Sequence, residues 1–409
     1  MKVVIVSEII PPEYSGAGLY AYNYSMRLYH AKDLAFLLTR TIPTGNKIYS
    51  YSDFYVDLKK IKIISISKLK TLHRIKKGIF IKLLPFLIDQ FHLFINTLFT
   101  LIKERNNYNI IHCFSPNWLS FYSIIISKLL GKKIIVEITL LNQDDPLTVT
   151  KYDIFRIKYL ARRIQFFFAD SIVNISKPLY KQCIKAKIDP QKLTIVNRSV
   201  DTERFTPLLK NERDSLKEQL NIKINEKIIL FVGTITQRKG VDLLYEIFKL
   251  LLEKIQNLHL IIIGNVQEQK LKDEILMDAN LSGIIQQIDF IEPIYSIEQY
   301  FQIADIFLFP SRREGFGSVL IQAMSCELPV VALNIQGITN EIINNEYDGF
   351  TINHEEPMLF RDVCLRILNN YELNKKVVQN AREKILSCYR QDYIDAKYYK
   401  LYLNLLKSI

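Results

Sequence analysis

Short apolar runs alternate along the chain with stretches in which apolar residues return every three or four positions. Runs at Val3–Val6, Leu34–Leu38, Ile61–Ile66, Ile110–Cys113, Lys133–Ile138, Asp170–Ile175 and Lys192–Val196 have the length and β-branched content of buried strands. Leu19–Tyr29 and Ile79–Ile102 carry helical spacing between them, the second interrupted by Lys82, Pro85, Asp89, His92 and Asn96. The rhythm restarts with strands at Ile228–Gly233, Leu258–Gly264, Ile284–Ile291, Asp305–Phe309 and Leu328–Leu333. Strand–helix alternation at this spacing predicts parallel, doubly wound α/β sheets, with ligands bound beyond the carboxyl ends of the strands. A chain of 409 residues suffices for two such domains. The boundary is expected near 205, giving domains over 1–205 and 206–388 and an aromatic-rich helical segment over 389–409.

Three loops at predicted strand ends carry candidate chemistry. In residues 306–331 the strand stops at Pro310, and Ser311–Glu314 forms a polar loop. Gly315-Phe316-Gly317 then lets backbone approach a ligand, and Ser318 is placed to cap a helix through Val319, Leu320, Ala323 and Met324. A glycine loop at a helix N-terminus presents backbone N–H groups and suits phosphate. Glu314 beside that cradle suits a ligand that carries hydroxyls as well. The second loop, Phe231 to Gly240, holds adjacent cations Arg238 and Lys239 after Gly233. The third follows the first strand, with Gly16 and Gly18 in Ser15-Gly16-Ala17-Gly18; it reads as an anion site or as a plain tight turn.

The stretch Glu314-Gly315-Phe316-Gly317, followed by Gln322 and then by Ala323-Met324-Ser325-Cys326-Glu327-Leu328-Pro329-Val330-Val331, resembles the signature of the family 4 glycosyltransferases, the glycosyl transferases group 1. Asn197 to Pro207, Gly233 to Gly240, Asn334 to Glu341 and Asp348-Gly349-Phe350 continue the likeness, which is strong over 228–352 and weak over 45–108. The resemblance implies a GT-B fold: two Rossmann-like doubly wound domains facing across a cleft, with a C-terminal helix returning to the first through Tyr398, Tyr399 and Tyr402. It implies a retaining glycosyltransferase, a hexosyltransferase, that moves a sugar from a nucleotide-sugar donor to a glycan or lipid-linked glycan in polysaccharide or glycoconjugate synthesis. Glu314 would hold the sugar, and Arg238 and Lys239 would neutralise the departing diphosphate. Gly16, Gly18, Gly233, Gly315, Phe316, Gly317, Ser318, Val319, Phe290 and Ile291 would contact the donor. Gln322 stands where the family has a second Glu and would meet the ribose, with hydrogen bonds but no charge. His112, and Thr139 where many members have His, are the acceptor-side candidates. No metal or cofactor is expected. The two departures leave a catalytically inactive GT-B scaffold, or a membrane-bound partner protein, as the alternative.

Charge changes this picture in one respect. Residues 1–205 hold 31 Lys+Arg against 15 Asp+Glu, and the remainder 23 against 27. Residues 59–82 alone carry nine Lys+Arg and no acid. A basic run before an apolar helix suits an anionic membrane surface, here through 59–102, and equally suits a solvated face over a helix packed on the sheet. No motif for reading nucleic acid accompanies it. The five cysteines are scattered and form no C-x-x-C pair, which points to a reducing compartment. With no signal peptide visible before the first strand, and no unbroken apolar run of about 18 residues, a cytoplasmic protein is expected, peripheral on the inner face of a membrane.

Overall fold

Two all-parallel sheets carry the fold in the computed structural model, which describes residues 1–11, 13, 15–41, 61–66, 79–148 and 156–407. Most of the basic run at 59–82 and part of the 11–18 loop, Pro12 and Tyr14, lie outside the described residues. Contacts divide the chain into Met1–Val196 with Tyr398–Ile409, and Asn197–Lys397. The division thus falls earlier than residue 205, and residues 389–397 go with the second unit.

The first unit alternates strands and helices in chain order: β1 (Val3–Ser7), α1 (Gly16–His30), β2 (Leu34–Thr39), β3 (Ile63–Ser65), α2 (Ile79–Lys103), β4 (Ile110–Phe114), α3 (Trp118–Leu129), β5 (Lys133–Ile138), α4 (Ile157–Phe168), β6 (Ser171–Asn174), α5 (Lys177–Lys185) and β7 (Leu193–Ile195). Its sheet order is β3-β2-β1-β4-β5-β6-β7. Every residue of β1, β4 and β6 is buried, as expected where helices cover both faces of a parallel sheet. Ser15 caps α1, its hydroxyl accepting the Gly18 N–H at 3.3 Å. Within α2, residues Leu84–Lys103 are long and apolar enough to cross a membrane by length and composition. In this unit α2 is instead the crossover from β3 to β4. It packs on α3 and buries Leu93, Thr97 and Leu101.

The second unit begins with α6 (Lys210–Gln219), then β8 (Lys227–Val232), α7 (Val241–Leu252), β9 (Leu258–Ile263), α8 (Gln269–Leu281), β10 (Ile288–Ile291), α9 (Glu298–Ile303), β11 (Ile306–Phe309), α10 (Ser318–Ser325), β12 (Val330–Leu333), α11 (Thr339–Ile342), β13 (Phe350–Ile352), α12 (Pro357–Asn369) and α13 (Tyr371–Cys388). The last helix is α14 (Gln391–Lys407). The sheet runs β10-β9-β8-β11-β12-β13. Its core joins Ile229, Phe231, Leu260 and Ile262 of the strands to Leu244 and Phe248 of α7. Two expected strands are shorter than their apolar runs. Ile285–Gln287 form a single 3-10 turn, so β10 starts at Ile288. Leu328 and Pro329 precede β12, where Pro329 offers only its carbonyl, which accepts the Phe307 N–H at 2.8 Å.

Candidate active site

Strands β8 and β11 are neighbours at the point where the strand order of the second sheet reverses. Loops leaving the carboxyl ends of such a pair diverge into helices and leave a crevice, the usual ligand position in open α/β sheets. Here the two loops are stitched together. After β8, a single 3-10 turn at Gln237–Lys239 starts from Thr236, whose hydroxyl accepts the Lys239 N–H at 3.3 Å. Gly240 ends the turn at φ 72°, and a Cβ there would lie 2.1 Å from the Pro310 carbonyl oxygen. Only glycine satisfies both the left-handed backbone and that approach. The Arg312 N–H then donates to the Arg238 carbonyl at 3.0 Å, and Arg238 Nη1 donates to the Arg313 carbonyl at 2.9 Å. Lys239 Nζ donates to Glu314 Oε1 at 2.5 Å, with the side chains 15% and 9% exposed. A pair this shielded is largely desolvated, so removing either partner leaves the other buried without its counterpart.

Arg312 rivets the assembly from outside. It donates to both carboxylate oxygens of Asp242, at 2.8 and 2.9 Å, and to Glu355 at 2.7 Å, as well as to the Gln237 carbonyl. Asp242 first, then Glu355, raise its pKa against the opposing effect of burial. A cavity of about 450 Å³ opens beyond it, between α7 and α8, walled by Asp242, Glu246, Lys249, Asp278 and Glu355. That cavity does not include Lys239 or Glu314.

The loop from β11 closes with Phe316, 5% exposed, its ring 5.9 Å from that of Tyr389. Gly317, at φ 98°, is the N-cap of α10 and makes no side-chain cap. Ser318 is therefore the first helical residue and not the cap expected of it, because the left-handed conformation that turns the chain into the helix selects glycine. Ser318 and Val319 are half-exposed at this N-terminus, and half-buried Gln322 follows one turn later. The site thus combines a helix N-terminus, two cations and one shielded carboxylate. That set can hold a diphosphate by charge-assisted hydrogen bonds while a carboxylate oxygen accepts from a hydroxyl.

Residues 212–384 match the family model for glycosyl transferases group 1, a span that contains this whole site. Over that span, and not over the rest of the chain, the sequence is similar to that family. The chain is similar to the capsular polysaccharide biosynthesis glycosyltransferase CapM of Staphylococcus aureus, 24% identical over 261 residues, covering 62% of this chain and 66% of the relative. It is also similar to an Escherichia coli UDP-Gal:alpha-D-GlcNAc-diphosphoundecaprenol alpha-1,3-galactosyltransferase, 28% identical over 238 residues and 58% of each chain. The aligned stretches therefore span less than two thirds of those relatives' own lengths. Among solved structures, Anabaena HepE in complex with UDP-glucose superposes over 100% of both chains, with a TM-score of 0.76 and 15% identity. Sucrose-phosphate synthase from Thermosynechococcus elongatus does so with a TM-score of 0.73 and 18% identity. With the two parallel sheets, these likenesses establish the GT-B fold.

Within residues 212–384, the structure brings Gly233, Arg238, Lys239, Glu314, Gly315, Phe316, Gly317, Ser318, Val319 and Gln322 onto two adjoining loops and one helix. Phe290 and Ile291 stand apart on the edge strand β10, separated from β8 by β9. The Ile291 carbonyl already accepts the Gly264 N–H at 3.0 Å, and Lys272 Nζ lies 5.1 Å from the centre of the Phe290 ring. Arg312 was missed on the sequence, although its place between Pro310 and Glu314 was a signal for a loop-fixing cation.

The first-unit candidates behave differently. A Cβ on Gly18 would lie 2.0 Å from the Ile9 carbonyl oxygen, so this glycine is required by space. One on Gly16 would meet nothing within 4 Å. His112 is 0% exposed; Nδ1 hydrogen-bonds the Tyr402 hydroxyl at 2.8 Å, and Nε2 lies 3.4 Å from Glu137 Oε2. That same oxygen accepts the Tyr398 hydroxyl at 2.6 Å, and the Tyr399 hydroxyl donates to Asp33. His112 thus seats the C-terminal helix residues and meets no solvent. Thr139 donates to Asp144 at 2.6 Å and lies 2.6 Å from the Ser115 hydroxyl, which also donates to Asp144 at 3.2 Å. Burial pushes the Asp144 carboxyl up, against those hydrogen bonds. Ser115 holds φ 70° there, a strained value for a non-glycine residue. The neighbouring Asp145 is spent on its own turn, accepting from Leu147 N–H at 3.1 Å and Thr148 at 2.6 Å.

Proposed function

We propose that this chain is a retaining glycosyltransferase that moves a hexose from a nucleotide sugar to a glycan or lipid-linked glycan in polysaccharide or glycoconjugate synthesis. The observation that carries the reading is the Lys239–Glu314 pair, fixed beside the N-terminus of α10 at the strand-order reversal of the group 1 domain. The names of CapM and of the diphosphoundecaprenol galactosyltransferase support a membrane-borne glycan, and HepE with UDP-glucose supports a uridine nucleotide.

In this reading the diphosphate lies against the backbone N–H groups of Ser318 and Val319, with Arg238 and Lys239 facing its charge. Glu314 accepts from a sugar hydroxyl, and Gln322 both accepts from and donates to the ribose hydroxyls. The bond between the anomeric carbon and the diphosphate oxygen breaks. A bond from the acceptor oxygen to the same carbon forms on the same face, and the acceptor's proton passes to the departing phosphate. Charge accumulates on that phosphate in the transition state, where preorganised cations lower the barrier most. The chemistry needs no metal, with Arg238 and Lys239 as the counter-charges. The protein works in the cytoplasm, peripheral on a membrane, where α2 offers Leu84, Leu87, Ile88 and Phe91 as exposed apolar residues.

A thermal-shift panel of nucleoside diphosphates and nucleotide sugars tests this, with wild type beside Arg238→Ala. A ligand at about a hundred times its Kd stabilises the folded protein by roughly 2.7 kcal/mol. A shift with one base series that is lost in the variant identifies the donor. No shift with any nucleotide refutes the reading and leaves the inactive scaffold, with Gln322 as the departure behind it.

A further inference from the structure

Helix α4 buries a mixed polar and apolar face and exposes an apolar row. Its inward face carries Arg162, 6% exposed, and Gln165, 1% exposed, beside buried Ala161 and Phe166, with Arg162 donating to the Gln143 and Thr148 carbonyls. Its outward face carries Ile157, Leu160, Ile164 and Phe167, which are 48%, 54%, 38% and 72% exposed. Their spacing of three, four and three places them in one row along the helix. An amphipathic helix on a sheet ordinarily turns this row inward. The Arg162 hydrogen bonds and the burial of Ala161 and Phe166 hold the opposite rotation.

Cations flank the row. Arg163 donates to the Ala186 carbonyl at 3.1 Å, which brings the end of α5, with exposed Lys185 and Lys187, beside α4. Lys192 donates to the Phe167 carbonyl at 3.1 Å, at the other end of the row. Residues 156–192 hold nine Lys+Arg and two acids, Asp170 and Asp189. Asp170 is bonded to Lys128 at 3.0 Å, and Asp189 accepts the Gln191 N–H at 2.9 Å. Helix α3 packs between α2 and α4, so the exposed apolar residues of α2 belong to the same helical layer.

We propose that α4 and the end of α5 form a second membrane-contacting face, in which the row from Ile157 to Phe167 enters the interface of an anionic bilayer and Lys185, Lys187 and Lys192 meet its headgroups. Charge selects this occupant over a second copy of the chain. Two faces from a region with 31 cations and 15 acids repel each other, whereas anionic lipid attracts both the cations and the apolar row. The inference rests on the membrane reading above but uses residues outside 59–102, and it does not depend on which sugar is transferred.

The experiment is co-sedimentation of the full chain with phosphatidylglycerol/phosphatidylethanolamine vesicles and with phosphatidylcholine vesicles, at low salt. Wild type is compared with Leu160→Asp/Phe167→Asp, with Lys185→Gln/Lys187→Gln/Lys192→Gln and with Phe91→Asp on α2. The altered positions on α4 are exposed, so an unchanged melting temperature reports an intact fold. Wild type should pellet with the anionic vesicles only, and each α4/α5 variant should lower the partition coefficient by roughly tenfold or more. Wild-type binding by the α4 double variant overturns the proposal, and if Phe91→Asp alone abolishes binding, the reading through 59–102 survives it. A dimer of wild type that the α4 double variant converts to monomer, with vesicle binding unchanged, assigns the face to a second copy and overturns it too.

Discussion

Removing the ammonium of Lys239 tests whether the stitched loops are held as described. The pair is separated by 2.5 Å, and its side chains are 15% and 9% exposed. Lys239→Met keeps most of the stem volume but leaves the Glu314 carboxylate shielded and without its cation. Breaking a fully buried pair from one side costs about 3–5 kcal/mol. The residual exposure of both groups brings the expected loss to about 2–3 kcal/mol, since water screens part of the orphaned charge. Glu314→Gln retains an oxygen that can accept from Lys239 and should cost about 1 kcal/mol. The double variant removes the orphan, so a double-mutant cycle should return a coupling of about 2 kcal/mol. Urea denaturation followed by far-UV circular dichroism reads both units together, and tryptophan fluorescence reads the first. The only tryptophan, Trp118, belongs to the first unit and serves as an internal control. Coupling below about 0.5 kcal/mol, which is the additive limit for independent sites, would show that Lys239 and Glu314 do not hold the loops together. With transfer activity lost in both single variants, that result would leave them as ligand contacts only.

Gly240→Ala should destabilise the second unit by about 2–4 kcal/mol in the same melts, because the left-handed backbone and the contact with the Pro310 carbonyl both oppose a Cβ; a loss under about 1 kcal/mol would mean the loop gives way freely. Lys62 and Asn107 hold the Glu104 carboxyl below its ordinary value. Its contribution is complete above the unfolded pKa and is lost as pH falls through the lowered folded pKa, so Glu104→Gln should lower the melting temperature at neutral pH and flatten its acid limb. Equal losses at all pH values would contradict this. In native protein Ellman's reagent should titrate one fast thiol, exposed Cys388, while the other four cysteines are buried and burial pushes Cys113 and Cys183 up to about 12. Two fast thiols would place one of the buried four at the surface. Tyr402→Phe should cost about 1 kcal/mol and speed amide exchange in the last two turns of α14, as the hydroxyl is the partner of His112 Nδ1; unchanged exchange would remove His112 from the seating of that helix.

What could be read in the sequence was local. The apolar runs marked the strands because both faces of a parallel sheet are covered, so most residues of such a strand are apolar. The stretch from Glu314 to Val319 was legible because turn, cap and helix start are adjacent in the chain. The pairing of Lys239 with Glu314 was not legible, since 75 positions separate them and only the adjacency of β8 and β11 joins them. The direction of the apolar row in 157–168 was not legible either. That depends on where Arg162 finds carbonyl partners, in a loop whose course is set by tertiary packing. His112 shows the same limit from the other side. A histidine at a strand end reads as a site, yet its partners come from a helix 290 positions away, and they enclose it.

Two helix starts, one in each unit, differ by a single hydroxyl. Ser15 satisfies an N–H of α1 with its own oxygen, whereas Gly317 brings nothing to α10. An incoming anion at α1 must first evict a covalently tethered rival of very high effective concentration. At α10 it displaces only water. In the function proposed above, that open helix end is a kinetic as well as an energetic asset, because release of the product needs no internal group to return to its post. It is also fragile in evolution: Asp or Ser at position 317, if the turn tolerated it, would act as a built-in competitive inhibitor.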